Sequence, residues 1–430
     1  MTPRWFDGPN HVGRIKFWRS NSRFIFCHSG RRSWKTETAK RRMVRSLITT
    51  TNKKFLAGAP TNKQAKKIFW EDFKRLIPKK LAPQRYDGEL FIRTLAGSEL
   101  HVAGMDSPDR VEGQMWDGVL LDEYGNMAER VWPEVISPVL SDTRGWAMLT
   151  GVPEGRNHYY DLIQRMRHRE NVDVFHWPSW EILPPEEIEV QRENLDELTF
   201  NQEFGGEFVH FAGRAYYAFD AVKNCGPVRG LYNSKAPLVF CFDFNVDPGV
   251  AVVCQEAKLP NGQVGTAVIS EVYIPRNSNT EIVCNKLGAD WKGHEGFIRL
   301  YGDFTGGARG TAKLKGSDWE IIHRTLSQHF NPGRIQNFVS PNPPVKSRVN
   351  AVNARMRSAN GVIRCIIDPE TAPHLAKDLE GVTWLSGASG ELDKSAKSKD
   401  LTHISDAFGY YIAREFPIKT QAAARIGNLH

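Results

Sequence analysis

The chain has 430 residues, 40% hydrophobic and 25% charged, with 57 Lys and Arg against 49 Asp and Glu. That balance is ordinary for a folded globular protein; no apolar run approaches the length of a membrane span, and residues 1–10 lack the apolar core of a signal peptide. The six cysteines (Cys27, Cys225, Cys241, Cys254, Cys284 and Cys365) form no Cys-x-x-Cys pair, which argues for a reducing compartment and against a structural zinc site.

The charge is unevenly spread. Residues 1–80 hold 21 Lys and Arg against 4 Asp and Glu, a net +17, and the remainder holds 36 against 45, a net −9. An N-terminal polyanion partner, nucleic acid or nucleotide, is the expectation; a solvated basic face is the competing account. The length predicts two domains.

In chain order, the basic and aromatic residues 1–20 precede an apolar run, Phe24-Ile25-Phe26-Cys27. The stretch Ser29-Gly30-Arg31-Arg32-Ser33-Trp34-Lys35-Thr36 follows, and residues 36–49 carry an apolar stripe at helical spacing, Met43, Leu47 and Ile48. Strand, loop and helix in this order make a phosphate-binding loop. Its backbone N–H groups and helix N-terminus cradle phosphates, Lys35 reaches the outer ones and the Thr36 hydroxyl holds Mg²⁺. Ser29 and Trp34 stand where that pattern has glycine; a basic helix N-terminus with a chance Lys-Thr is the bland alternative.

A second strand is predicted at 55–57, then a turn and a basic amphipathic helix over 59–70, and a short strand at 99–102. Gly118-Val119-Leu120-Leu121 is an apolar run ending in Asp122-Glu123. A buried parallel strand presents such carboxylates at its C-terminal end. Asp122 is placed to hold Mg²⁺ and Glu123 to polarise an attacking water. The strand at 146–150 ends in Thr150 and Gly151, a turn able to sense the γ-phosphate; an ordinary glycine turn is the alternative. Strands alternating with helices to about residue 170 indicate a mostly parallel α/β domain.

Four segments, taken in order, resemble the large terminase subunit of tailed bacteriophages: the loop at 29–36, Ala59-Pro60-Thr61-Asn62-Lys63-Gln64-Ala65-Lys66-Lys67-Ile68-Phe69-Trp70, Leu120-Leu121-Asp122-Glu123-Tyr124, and Leu149-Thr150-Gly151-Val152-Pro153-Glu154-Gly155. Two departures stand out. Trp34 replaces the last loop glycine, and no glutamine precedes Gln64, so the family's upstream adenine-contacting Gln is missing.

The resemblance implies a P-loop (ASCE-type) ATPase domain over 1–209. A linker at 210–235, an RNase H-like α/β nuclease domain at 236–415 and a tail at 416–430 complete the expected organisation; segments 200–208 and 213–217 resemble the bridge between the family's two domains, their glycines and aromatics suiting a hinge. In the second half, apolar 238–242 ends in Asp243, with Asn245 and Asp247 after it. Strands at 250–255 and 264–274 flank an Asn261-Gly262 hairpin turn. Strand 298–302 ends in Asp303, and a helix over 401–412 carries Asp406. On an RNase H-like fold Asp243, Asp303 and Asp406 converge as a two-metal nuclease site for Mg²⁺ or Mn²⁺. Each alone is more often a strand-end cap. His403 could serve that site or be structural, Glu271 and Asp247 are auxiliary candidates, and Lys346 and Arg348, with Asn350 and Asn353, could contact DNA phosphates.

The resemblance further implies ATP-Mg as substrate, double-stranded DNA, a small terminase subunit and a portal protein as partners, and a homo-oligomeric ring on the capsid. The site of action is the cytoplasm of the infected bacterial host, with no membrane association and no place in the mature virion. Arg130, Arg144 and Arg156 are unranked candidates for an arginine finger. Two other accounts stay open: a nucleic-acid remodelling ATPase with a structural second half, and a non-enzymatic DNA-binding scaffold.

Overall fold

The structure is a computed structural model that describes residues 10–209, 213–244, 247–304, 317–338, 340–385, 390–394 and 401–418. The chain divides into two compact units. One comprises Met1–Ile188 with Phe200–His210, and the other Glu189–Thr199 with Phe211–His430. Residues 210–235, expected as a linker, therefore belong largely to the second unit, where Ala215, Tyr216, Ala218 and Phe219 are buried in its core.

The first unit is built on eight strands: β1 Phe24–His28, β2 Lys54–Ala59, β3 Gln84–Tyr86, β4 Phe91–Arg93, β5 Glu99–Gly104, β6 Gly118–Asp122, β7 Trp146–Gly151 and β8 Val172–Phe175. Their order is β3-β4-β5-β2-β6-β7-β1-β8. From β5 to β8 every pairing is parallel; only the β3–β4 hairpin and its join to β5 run antiparallel. The hairpin lies between the expected elements at 59–70 and 99–102, where the sequence reading places no strand. Strand β7 lies between β1 and β6, which is the ASCE arrangement. All five residues of β6 are buried, as a parallel strand covered on both faces requires. Helix Lys35–Thr49 lays Ala39, Met43, Val44 and Leu47 into the core on one face. Residues 61–76 form helix Asn62–Ala65, a π-helical stretch Lys66–Trp70 and helix Glu71–Leu76.

His28, at the end of β1, lies 4.9 Å from the rings of both His176 and Phe208. Burial pulls its pKa from 6.5 down to about 4 against the opposing Gly206 carbonyl. The fold thus favours neutral imidazole. Its contribution to stability is present above the unfolded value and is lost as pH falls from about 6.5 towards about 4. We expect His28→Phe to shrink the drop in melting temperature of the wild-type chain between about pH 7 and about pH 5; an unchanged drop would contradict this assignment.

The second unit has six strands: β9 Leu238–Asp243, β10 Gly249–Lys258, β11 Val264–Ile274, β12 Ile298–Gly302, β13 Ile335–Asn337 and β14 Cys365–Ile367. The order is β13-β12-β9-β10-β11-β14. The β9-β10-β11 meander is antiparallel, while β12 and β13 on one side and β14 on the other add in parallel. This is the RNase H-like order. The Asn261-Gly262 turn joins β10 to β11, with Gly262 at φ +84°, a conformation glycine adopts without Cβ strain. Helix His403–Glu415 buries Phe408, Tyr411 and Ile412. No helix among the described residues is long and apolar enough to cross a membrane.

Candidate functional sites

The loop at 29–36 sits at the C-terminal end of β1, where a parallel sheet opens its crevice. Its backbone is anchored from three sides. Ser29 N–H donates to the Gly151 carbonyl at 3.3 Å, Arg31 N–H donates to Glu203 O at 2.7 Å, and Ser179 Oγ donates to Arg31 O at 2.6 Å. The Arg31 guanidinium pairs with the Glu203 carboxylate. Trp177 Nε1 donates to Ser33 O at 2.9 Å. Segment 200–206, expected as part of an inter-domain bridge, is therefore a wall of the loop. A Cβ on Gly30 would lie 2.2 Å from both Phe204 O and Ser179 Oγ. We expect Gly30→Ala to push that wall away and cost about 1–3 kcal/mol, read as a lower denaturation midpoint of the full chain.

Lys35 is 5% exposed and its Nζ lies 3.5 Å from Gly30 O, across the loop. The Thr36 hydroxyl lies 3.1 and 3.0 Å from the two carboxylate oxygens of Asp122. Thr150 Oγ1 donates to Asp122 Oδ1 at 2.6 Å. Asp122, 2% exposed, is thereby fixed by loop and neighbouring strand together. Burial, reinforced by the charge of Glu123, raises its pKa to about 6, against the pull of Lys35. Glu123 turns sharply out of β6 with φ +56° and ψ +43°, a region that costs a non-glycine residue about 1–3 kcal/mol. Gly151 packs beside it: a Cβ there would lie 3.4 Å from Glu123 Cα. Arg31, whose pKa burial lowers, is within electrostatic reach of Glu123 and Glu154.

Trp34 resolves its departure by taking the left-handed conformation itself, φ +62°, as the residue that opens helix Lys35–Thr49. Its ring is 51% exposed and Arg14 lies 5.6 Å from the ring centre. Arg32 is also left-handed, φ +55°, and exposed. The buried Ser33 Oγ has no hydrogen-bond partner among the described residues. An orphaned hydroxyl in the loop, a fixed Thr-Asp pair of hard oxygens and a buried lysine suit a magnesium-bound phosphate. The arginine-finger candidates stand apart in character: Arg130 pairs with exposed Asp109 at 3.1 Å, Arg144 adopts φ +54°, and Arg156 lies 5.5 Å from the Tyr160 ring centre.

In the second unit, Asp243 closes β9 and Asp303 follows β12. Register pairs Gly302 with Phe242, so the two acids emerge side by side. Asp303 Oδ1 accepts from Asn342 Nδ2 at 2.7 Å. His403 Nδ1 lies 3.4 Å from Asp243 Oδ2, and that carboxylate raises the histidine's pKa against burial. Asp406 is 5% exposed. Burial raises its pKa, Arg348 opposes this, and the Asp243 charge adds to it. The buried Tyr410 phenol is raised by burial and by the charges of Asp243, Asp303 and Asp406 together. The charges of all three acids therefore reach one residue.

Their donor chemistry suits Mg²⁺ or Mn²⁺, but their arrangement does not close a metal shell. No group of three Asp, Glu, His or Cys among the described residues is placed to hold an ion. Arg348 Nη2 donates to Asp406 Oδ1 at 2.5 Å and Lys394 lies 3.6 Å from Oδ2. Arg348, expected at DNA phosphates, is 4% exposed and committed to Asp406. Asn350 and Asn353 are buried too; Asn353 bonds Ala215 O and Ala218 N. Lys346 is half-buried, with its Cβ within 3.5 Å of the Cβ position of Gly390. The auxiliary candidates also have structural duties. Glu271 accepts from the N–H groups of His374 and Leu375 at the start of helix Pro373–Gly381, and Asp247 accepts from Ser278 N–H. Asn245 lies outside the described residues.

No protein-family model matches the chain. The terminase large subunits of Thermus phage G20c and Thermus virus P23-45 are each 28% identical to it over 248 residues, 49% of this chain and 51% of theirs. The chain thus spans about half the length of the curated relatives it matches. Among solved structures, the large terminase of a thermophilic bacteriophage shares the fold with a TM-score of 0.58 at 15% identity, across 94% of this chain and 98% of that one. The same protein solved with ATP-gamma-S gives 0.58 at 13%, across 94% and 99%. In sequence over about half its length, and in fold over nearly all of it, this chain is similar to the large terminase subunits of bacteriophages.

Proposed function

We propose that the chain is a viral DNA-packaging motor subunit that hydrolyses ATP to move double-stranded DNA into a procapsid and cuts that DNA with its second unit. The observation that carries the ATPase is the convergence of Thr36 and Thr150 on Asp122. It joins phosphate loop, metal acid and coupling strand at one point. The large terminase of the thermophilic bacteriophage is solved with ATP-gamma-S, in keeping with a nucleotide here.

In this account Lys35 and the loop N–H groups at 30–35 hold the phosphates. Thr36 and Asp122 would hold Mg²⁺, which would supply positive charge to offset that of the phosphates. Glu123 orients water and takes its proton. Thr150 and Gly151 touch Asp122, Glu123 and the loop, so a change at the phosphate reaches β7 directly. Double-stranded DNA, a small terminase subunit, a portal protein and a ring of further copies are the partners. Action in the host cytoplasm, away from membranes and from the finished virion, follows from the same reading.

For cutting, Asp243, Asp303 and Asp406 would hold two Mg²⁺ or Mn²⁺ ions, which supply a hydroxide and stabilise the leaving oxygen. The Arg348–Asp406 contact has to open for that. The same contact favours a second reading, an ATPase whose second unit is structural. Mg²⁺-dependent ATP hydrolysis with and without duplex DNA, comparing wild type with Lys35→Ala, tests the motor. Equal turnover by both would remove the loop from the mechanism.

A further inference from the structure

A cleft beside the three acids has no part in the chemistry above. Tyr301, Phe338, Pro341, Pro343, Tyr410 and Arg414 line it. Gly302 is also on its wall, and Asp303 is the next residue. The rings of Tyr301 and Phe338 are nearly parallel, 9° apart with centres at 5.1 Å. Asp406, Tyr410 and Arg414 are spaced four residues apart on helix His403–Glu415, steps of about 6 Å along neighbouring turns. One row therefore runs from an acid through an aromatic ring to a cation.

Two arginines here each leave one buried nitrogen without an acceptor. Arg414 Nη1 is buried with no hydrogen-bond partner among the described residues, and Arg299 Nε is in the same state. The Arg299 guanidinium lies 5.6 Å from the Phe338 ring centre. Glu415 is taken by the Tyr301 hydroxyl at 2.8 Å. Buried guanidinium N–H groups without acceptors are costly unless a ligand brings one. Flat aromatic and proline walls beside an unsatisfied guanidinium ask for a ligand that is planar and apolar in one part and anionic in another.

We propose that this cleft binds one nucleotide of the DNA strand adjacent to the cutting position. Its phosphate pairs with Arg414 and its base or sugar lies against Tyr410 and Phe338. The site rests on the nuclease reading for its place beside the cut, but binding needs no metal and no cleavage.

The test uses the full chain in EDTA with a fluorescent single strand of about 12 nucleotides. Wild type binds it, and Arg414→Ala weakens binding about tenfold and lowers the salt slope by about 0.7, one phosphate contact. Arg414→Lys keeps the slope, which separates a lost contact from a misfolded protein. A strand carrying 5-iododeoxyuridine crosslinks within 338–343 or 403–415. An unchanged salt slope in Arg414→Ala, or crosslinks only elsewhere, overturns the proposal. Binding of free deoxyadenosine monophosphate that equals the strand's would make the site one for free nucleotide and overturn it too. Plasmid cutting with Mn²⁺ is scored separately: its absence beside intact binding and crosslinking sinks the nuclease reading and leaves the cleft.

Discussion

Glu123→Gln should bind ATP as wild type does and hydrolyse it ~10²–10⁴-fold more slowly, the contribution of a positioned general base. The substitution keeps the shape of the side chain and removes its charge and its ability to accept a proton. The phosphates are held elsewhere, by Lys35 and the loop at 29–36, so affinity should survive. The left-handed backbone at Glu123 and the bare face of Gly151 opposite are independent of the carboxylate charge, so the local fold should survive too. The upward push on the Asp122 pKa is relieved slightly, because the neighbouring charge that contributes to it is gone. Equilibrium binding of a fluorescent ATP analogue beside steady-state turnover checks both halves. Loss of binding would place Glu123 in the cradle instead of in the chemistry.

Asp303→Asn should abolish Mg²⁺- or Mn²⁺-dependent cleavage of plasmid DNA while ATP turnover continues. Groups that only orient a metal's ligands are already worth about 10–100-fold in activity, so loss of a direct ligand should exceed that. Asp303 suits this test better than Asp406. Asp406 is tied to Arg348, and breaking a buried ion pair costs about 3–5 kcal/mol of stability, which would confuse unfolding with lost chemistry. Asp303 holds Asn342 through a hydrogen bond that an amide can still accept. Equal cutting by wild type and variant would assign the activity to another site.

The strands that present the acids were legible because buried central strands are largely apolar and announce their ends with charge. Gly118–Asp122 and Leu238–Asp243 follow that rule, and Ile298–Gly302 does so apart from the half-buried Arg299. The helix carrying Asp406 was legible from its apolar spacing. What stayed hidden depends on tertiary partners far away in the chain. Arg348 and Asp406 are 58 residues apart, and a lysine- and arginine-bearing segment reads as exposed until packing shows otherwise. Segment 200–206 gave a signal in Gly205-Gly206, which looks like a hinge; the structure uses Gly206, at φ +72°, to approach Ser29 and Gly30. Glu271 and Asp247 also accept from helix and turn N–H groups, a role that spacing along the chain does not distinguish from ligation.

One preparation of Glu123→Gln, assayed side by side for ATP turnover and for Mn²⁺-dependent plasmid cutting, tests the claim that this chain carries two separate active sites. Turnover should fall to background and cutting should match wild type. Loss of both activities, or retention of ATP turnover, would contradict the account.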